Sequence, residues 1–90
     1  MSANSAEINR LRQKIDSIDD QIKALFEQRL VLASDIAHCK AQNDLPIFDG
    51  VREQEILTRL TADLDADTAE QITVLFTTIL ELSRSHQAKI

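Results

Sequence analysis

Residues 7–43 read EINRLRQKIDSIDDQIKALFEQRLVLASDIAHCKAQN, and this stretch decides the fold. Ile8, Leu11, Ile15, Ile18, Ile22, Leu25, Arg29, Leu32, Ile36 and Cys39 follow one another at alternating steps of three and four. That is the repeat of a helical seam made to pack against other helices. Neither Pro nor Gly interrupts it. The spacing predicts one helix from about residue 6 to residue 43. At ~1.5 Å per residue such a helix would be ~55 Å long, whereas a compact chain of this length has a radius of gyration of roughly 12 Å. The remaining residues cannot cover such a rod. An oligomer in which the long helices cover one another is therefore expected.

Outward from the seam, residues 1–6 read as a short lead, with Asn4 and Glu7 spaced as a capping box. Asn43 to Asp49 is the one clear break. Pro46 biases Leu45 away from helix, Ile47 and Phe48 are expected to tuck the loop down, and Asp49 suits the N-cap of a second helix. That helix is expected over about 50–62, with Val51, Ile56, Leu57 and Leu60 apolar. A third is expected over about 68–88, opened by Asp67 with Glu70. Its face is Ile72, Leu75, Phe76, Ile79 and Leu80, continued in the same direction by Ser83 and Gln87. No strand signal is present, so the expectation is all-α, three helices, one domain over residues 1–90.

Composition removes several function classes. Net charge is −5 and the ten Lys and Arg are scattered, so no partnership with nucleic acid or an anionic membrane is expected. Cys39 is the only cysteine, which excludes an internal disulfide. It is expected to be a small core residue. The N-terminus lacks the basic and apolar regions of a signal peptide, and no apolar run reaches the roughly 18 residues of a membrane span. The cytoplasm is the expected location.

The chemistry lies in the charges that break the seam. Arg29 stands in its apolar line, and Lys40 follows eleven residues later, about three turns on and on nearly the same face. Seams do tolerate a snorkelling or register-setting cation. An unpaired interior charge nevertheless costs several kcal/mol, and no acidic residue stands in the seam beside these two. A small dianionic ligand would supply the missing anion. Arg12 flanks the seam near its start, about 25 Å along the axis from Arg29. It either is a solvated surface charge or serves a site belonging to a second chain. Asp49, Arg52 and Glu53 share the first turn of the second helix. They read as a capped, charge-laced start, or as a polar rim for hydroxyls and a carboxylate. Ser83 and Gln87 suit a helix end, or a polar continuation of a buried face. His38 and His86 fit no metal-ligand pattern, there is no Gly-rich phosphate loop, and no nucleophile and base pair is evident along the chain. Catalysis would rest on positioning and electrostatics.

Taken together, Leu11-Arg12-Gln13-Lys14-Ile15-Asp16, Ile18-Asp19, Glu27-Gln28-Arg29, Lys40, Asp49-Gly50-Val51-Arg52-Glu53, Ser83 and Gln87 resemble the all-helical chorismate mutases. The resemblance covers about residues 6 to 88. It implies an intertwined homodimer and the cofactor-free, metal-free rearrangement of chorismate to prephenate, in the biosynthesis of Phe and Tyr. By position, Arg29 would grip one substrate carboxylate, and Arg12 would reach another from the partner chain. Lys40 and Gln87 would donate to the ether oxygen, and Glu53 would accept from the ring hydroxyl with Asp49 nearby. Arg52 and Ser83 would complete the carboxylate side. A monofunctional enzyme without feedback control is expected.

Two other readings share these features. An isochorismate pyruvate-lyase on the same scaffold would keep the cations but would not need the Asp49 and Glu53 pair. A non-catalytic helical dimerisation module would need none of the polar set.

Overall fold

The uninterrupted seam folds as a single helix. The structure, a computed structural model, describes residues 3–90, with side chains from residue 4 onward. Three helices follow in order, α1 Ala3–Gln42, α2 Gly50–Thr61 and α3 Ala66–Ala88, and no strand occurs among the described residues. The chain divides into two compact units, Met1–Val31 and Leu32–Ile90, so the division falls within α1.

The first unit is the seam helix alone. Its outer face is held by the local pairs of Glu7 with Arg10 and of Lys23 with Glu27, the latter at 2.8 Å. Pairs of this kind are worth a few tenths of a kcal/mol each. Helix α1 begins at Ala3, so Asn4 lies inside the helix rather than capping it, and Glu7 is spent on Arg10 instead of reaching back. Met1 and Ser2, the start of the expected lead, lie outside the described residues. The seam is apolar as read, yet Ile8, Leu11, Ile15, Ile18, Ile22 and Leu25 are all 45–62% exposed.

The second unit carries a small core. Ala33 and Ala37, one turn apart on α1, are buried with Ile56 of α2 and Leu80 of α3. Two alanines at that spacing make a smooth strip that lets α3 approach closely. α1 ends in a Schellman motif: Leu45 N–H bonds Lys40 O at 2.8 Å, and Asp44 N–H bonds Ala41 O at 3.4 Å. Asp44 takes the left-handed conformation the motif requires, with φ 53°. Asp is one of the few residues besides Gly that tolerate it. α2 opens as expected on Asp49, whose carboxylate accepts from Arg52 N–H at 3.0 Å.

α3 starts earlier than expected. Its cap is Asp65, not Asp67, because the Asp65 carboxylate takes both the backbone N–H of Thr68 at 2.8 Å and the Thr68 hydroxyl at 3.1 Å. Those two bonds, the backbone one first, hold the Asp65 carboxyl below its ordinary range. A depressed carboxyl contributes stability above its unfolded pKa, about 3.9, and loses it as pH falls through the folded value. Asp65→Ala is therefore expected to melt lower than wild type at pH 7. The gap should begin to close near pH 4 and vanish in stronger acid. A gap of constant size from pH 7 to pH 2 in thermal scans would show that the cap carries no such linkage.

On the helices, three side chains depart from the expected packing. Val51 and Leu75 are exposed although they lie on faces read as apolar, and Cys39 is exposed rather than in the core. All three lie outside the small region where α1, α2 and α3 meet.

Candidate active site

Helix α3 supplies the floor of a polar cluster. Its packed stripe runs through half-buried Ile72, Phe76 and Ile79 and buried Leu80, and then, without changing direction, through Ser83 and Gln87 at 8% exposure each. Gln87 is the more constrained. Its Nε2 donates to the carbonyl of Ala33 at 3.1 Å, a bond across 54 residues of sequence. A primary amide carries two N–H groups, so this bond orients the side chain and leaves the second donor uncommitted.

Helix α2 supplies the acid. Glu53 stands on the first turn, where the helix dipole favours an anion, and its backbone N–H bonds Asp49 O at 3.0 Å. Its carboxylate meets Arg84 of α3: Arg84 Nη1 donates to both Oε1 and Oε2 at 2.5 Å. The two side chains are only 33% and 21% exposed, so the pair is largely out of water. Because the first turn of α2 meets the last turns of α3, these two helices run antiparallel.

The loop between α1 and α2 closes the cluster. Lys40 is half-buried and its Nζ donates to Ile47 O at 2.7 Å, tying the loop to the end of α1. Ile47 is tucked in as expected, but Phe48 is 60% exposed. Its ring instead lies 5.3 Å from the Arg84 guanidinium carbon, a cation–π distance.

The expected residues therefore fall into three groups. Glu53, Ser83, Gln87 and Lys40 are buried or half-buried in the second unit, with three of them already holding polar partners. Asp49 is committed as a helix cap, and the Arg52 side chain points along α2 to Glu55 at 3.9 Å rather than toward Glu53. Arg12 and Arg29 belong to the first unit, where Arg12 is exposed and Arg29 half-buried.

Two features escaped the sequence reading. Arg84 is one. It stands four residues after buried Leu80, so helical spacing alone could have placed it on the packed side. The other is a serine and histidine pair: Ser34 Oγ lies 2.7 Å from His86 Nε2. The two are 52 residues apart, which hid a nucleophile and base from inspection of the chain. No carboxylate bonds the other ring nitrogen among the described residues, so the third member that orients such a base is missing. The pair lies beside the Gln87 bond to Ala33 and ties the same two helices together.

An apolar depression of about 390 Å³ is lined by Leu32, Asp35, Ile36, Cys39, Lys40, Asn43 and Leu45. Of the polar set it reaches only Lys40. No group of three or more His, Cys, Asp or Glu side chains is placed to hold a metal among the described residues. No described helix is long and apolar enough to cross a membrane.

The second unit is a helical domain that holds two tied donors, Lys40 and Gln87, and one cation-paired carboxylate, Glu53. The chorismate mutase type II family model matches residues 11–88, and the chain belongs to that family. A chorismate mutase from Methanocaldococcus jannaschii is 44% identical over 50 residues, covering 56% of this chain and 50% of the relative. A bifunctional chorismate mutase/prephenate dehydratase from Aquifex aeolicus is 39% identical over 54 residues, covering 60% of this chain and 15% of that protein. A T-protein from Haemophilus influenzae is 39% identical over 67 residues, covering 69% and 18% respectively. The chain thus spans half or less of the length of these curated relatives. No solved structure matches it.

Proposed function

We propose that this chain is a chorismate mutase, converting chorismate to prephenate by a pericyclic rearrangement. One observation carries the reading: the family match over residues 11–88 takes in Arg12, Arg29, Lys40, Asp49, Arg52, Glu53, Ser83 and Gln87 together. The substrate is a flexible dianion that must fold into a chair-like shape before its ether C–O bond breaks and a C–C bond forms. No proton is transferred, so the protein has to hold a shape and meet a developing charge.

Arginine forks suit the first task because each can take a carboxylate in bidentate fashion. Arg29 is assigned to one carboxylate and Arg12 to the other, with Arg52 and Ser83 supporting them. Lys40 and Gln87 donate to the ether oxygen, a contribution of ~3–4 kcal/mol per donor. Gln87 is supported by its burial and by the bond to Ala33 that aims it. Lys40 gives one N–H to Ile47 O and keeps two more, so it can meet the ether oxygen while it holds the loop. Glu53 accepts from the ring hydroxyl, with Asp49 as its neighbour at the helix start. No cofactor enters the scheme.

A second copy of the chain is assigned to the exposed seam. Six consecutive large apolar side chains left 45–62% exposed on one helix make a patch of the kind that marks an interface. The second copy would bring Arg12 of one chain to the other's ligand. The cytoplasm is the proposed location.

Incubation with chorismate and, separately, with isochorismate tests the reading. Prephenate from the first and no salicylate from the second is the expected result. Salicylate from isochorismate would favour the lyase, and no product from either would sink the enzyme reading. Sedimentation of the same sample should give twice the chain mass.

A further inference from the structure

Glu53 poses a difficulty that the assigned roles leave open. An anionic carboxylate is asked to sit beside a dianionic ligand, which it repels. It is also only 21% exposed, so water screens it little. Arg84 answers both points. Its Nη1 bridges the two carboxylate oxygens, which neutralises the pair and fixes the Glu53 rotamer. Each carboxylate oxygen keeps a second lone pair, so Glu53 can still accept a hydrogen bond from a ligand hydroxyl.

Arg84 is itself held. The Phe48 ring lies against its guanidinium at 5.3 Å. That ring also packs on Gly50, the only glycine of the chain. A Cβ built on Gly50 would come 3.3 Å from Phe48 Cζ, tighter than ordinary contact, and no positive φ calls for glycine there. Gly50 is thus the residue that leaves room for Phe48, and Phe48 in turn seats Arg84.

We propose that Arg84 is a positioning residue that holds and neutralises Glu53 for ligand binding, with Phe48 and Gly50 as its seat. The inference rests on the mutase reading for the identity of the ligand. It does not rest on that reading for the pairing itself.

A double-mutant cycle of Arg84→Met and Glu53→Gln tests it with two readouts. In the chorismate assay, Arg84→Met should lower kcat/KM about ten- to a hundredfold, chiefly by raising KM, because an unneutralised carboxylate repels the dianion. Arg84→Lys should lose less. In the Glu53→Gln background, Arg84→Met should cost several-fold less, since no carboxylate is left to position and only the attraction of the cation for the dianion is lost. Equal losses in both backgrounds, or an Arg84→Met enzyme within twofold of wild type, would overturn the proposal. If Arg84→Met does not fold, Arg84→Lys closes the same cycle. Melting temperatures of the four proteins give the second readout, in which the two substitutions should be non-additive. If wild type makes no prephenate, the mutase reading fails, and the melting cycle still decides whether Arg84 holds Glu53.

Discussion

Arg29→Ala is expected to fold as well as wild type and to lose at least two orders of magnitude in kcat/KM for chorismate. The two halves of this result come from the same fact. Arg29 is the one cation in the apolar line of α1, it is half-buried, and it makes no ion pair among the described residues. Replacing an unpaired, partly desolvated cation with a small apolar side chain is neutral or stabilising for the fold. Truncating a charge that pairs with a ligand carboxylate in a dry site costs about 3–5 kcal/mol, which is roughly two to nearly four decades in kcat/KM. Circular dichroism melts and initial rates on one preparation check both halves. A variant that loses stability and keeps activity would make Arg29 a structural residue, as the dimerisation-module reading requires.

Gln87→Glu is expected to lose about two decades of activity at pH 8 and to regain part of it in acid. Gln87 is 8% exposed and its amide donates to Ala33 O. A protonated glutamic acid has a single O–H and replaces only one of the amide's two donations, so recovery in acid should be partial, whereas an ionised one sets an acceptor against an acceptor at a cost of about 1–3 kcal/mol. The same loss applies to the donor assigned to the ether oxygen, worth ~3–4 kcal/mol, so activity at pH 8 should fall by about two decades. Burial raises the folded-state pKa of the new carboxyl. Its stability contribution is therefore complete below the unfolded value of about 4.3, and it is lost as pH rises through the folded value. Rates and melting temperatures should both improve from pH 8 toward pH 5, in contrast to wild type, where Gln87 is neutral throughout. Full activity of the variant at pH 8 would remove Gln87 from the site.

Other parts of the molecule resisted reading for reasons that can be named. The cap of α3 fell two residues before its expected place. Asp63, Asp65 and Asp67 compete near that helix start, and the cap is Asp65, whose backbone is extended at ψ 165°. Cys39 was expected in the core because it continues the seam, yet within one chain the seam faces outward. The serine and histidine pair and the Glu53 bond to Arg84 join residues 52 and 31 positions apart. Periodicity can say that a residue lies on a packed face, but it cannot say which residue of another helix it meets.

What the sequence by itself determined is the set of elements and their faces. Alternating steps of three and four specify α1. The run from Asn43 to Asp49 specifies the break. The line through Ile79, Ser83 and Gln87 specifies a stripe that turns polar while it stays buried. These are local consequences of helical geometry, so they are written in spacing. The tertiary structure alone decided what each polar group is bonded to: Gln87 to Ala33, Lys40 to the loop carbonyl of Ile47, and Glu53 to an arginine that spacing had not singled out. Those bonds depend on which helix ends are brought together by burial of Ala33, Ala37, Ile56 and Leu80. Such a packing event has no local signature in the chain.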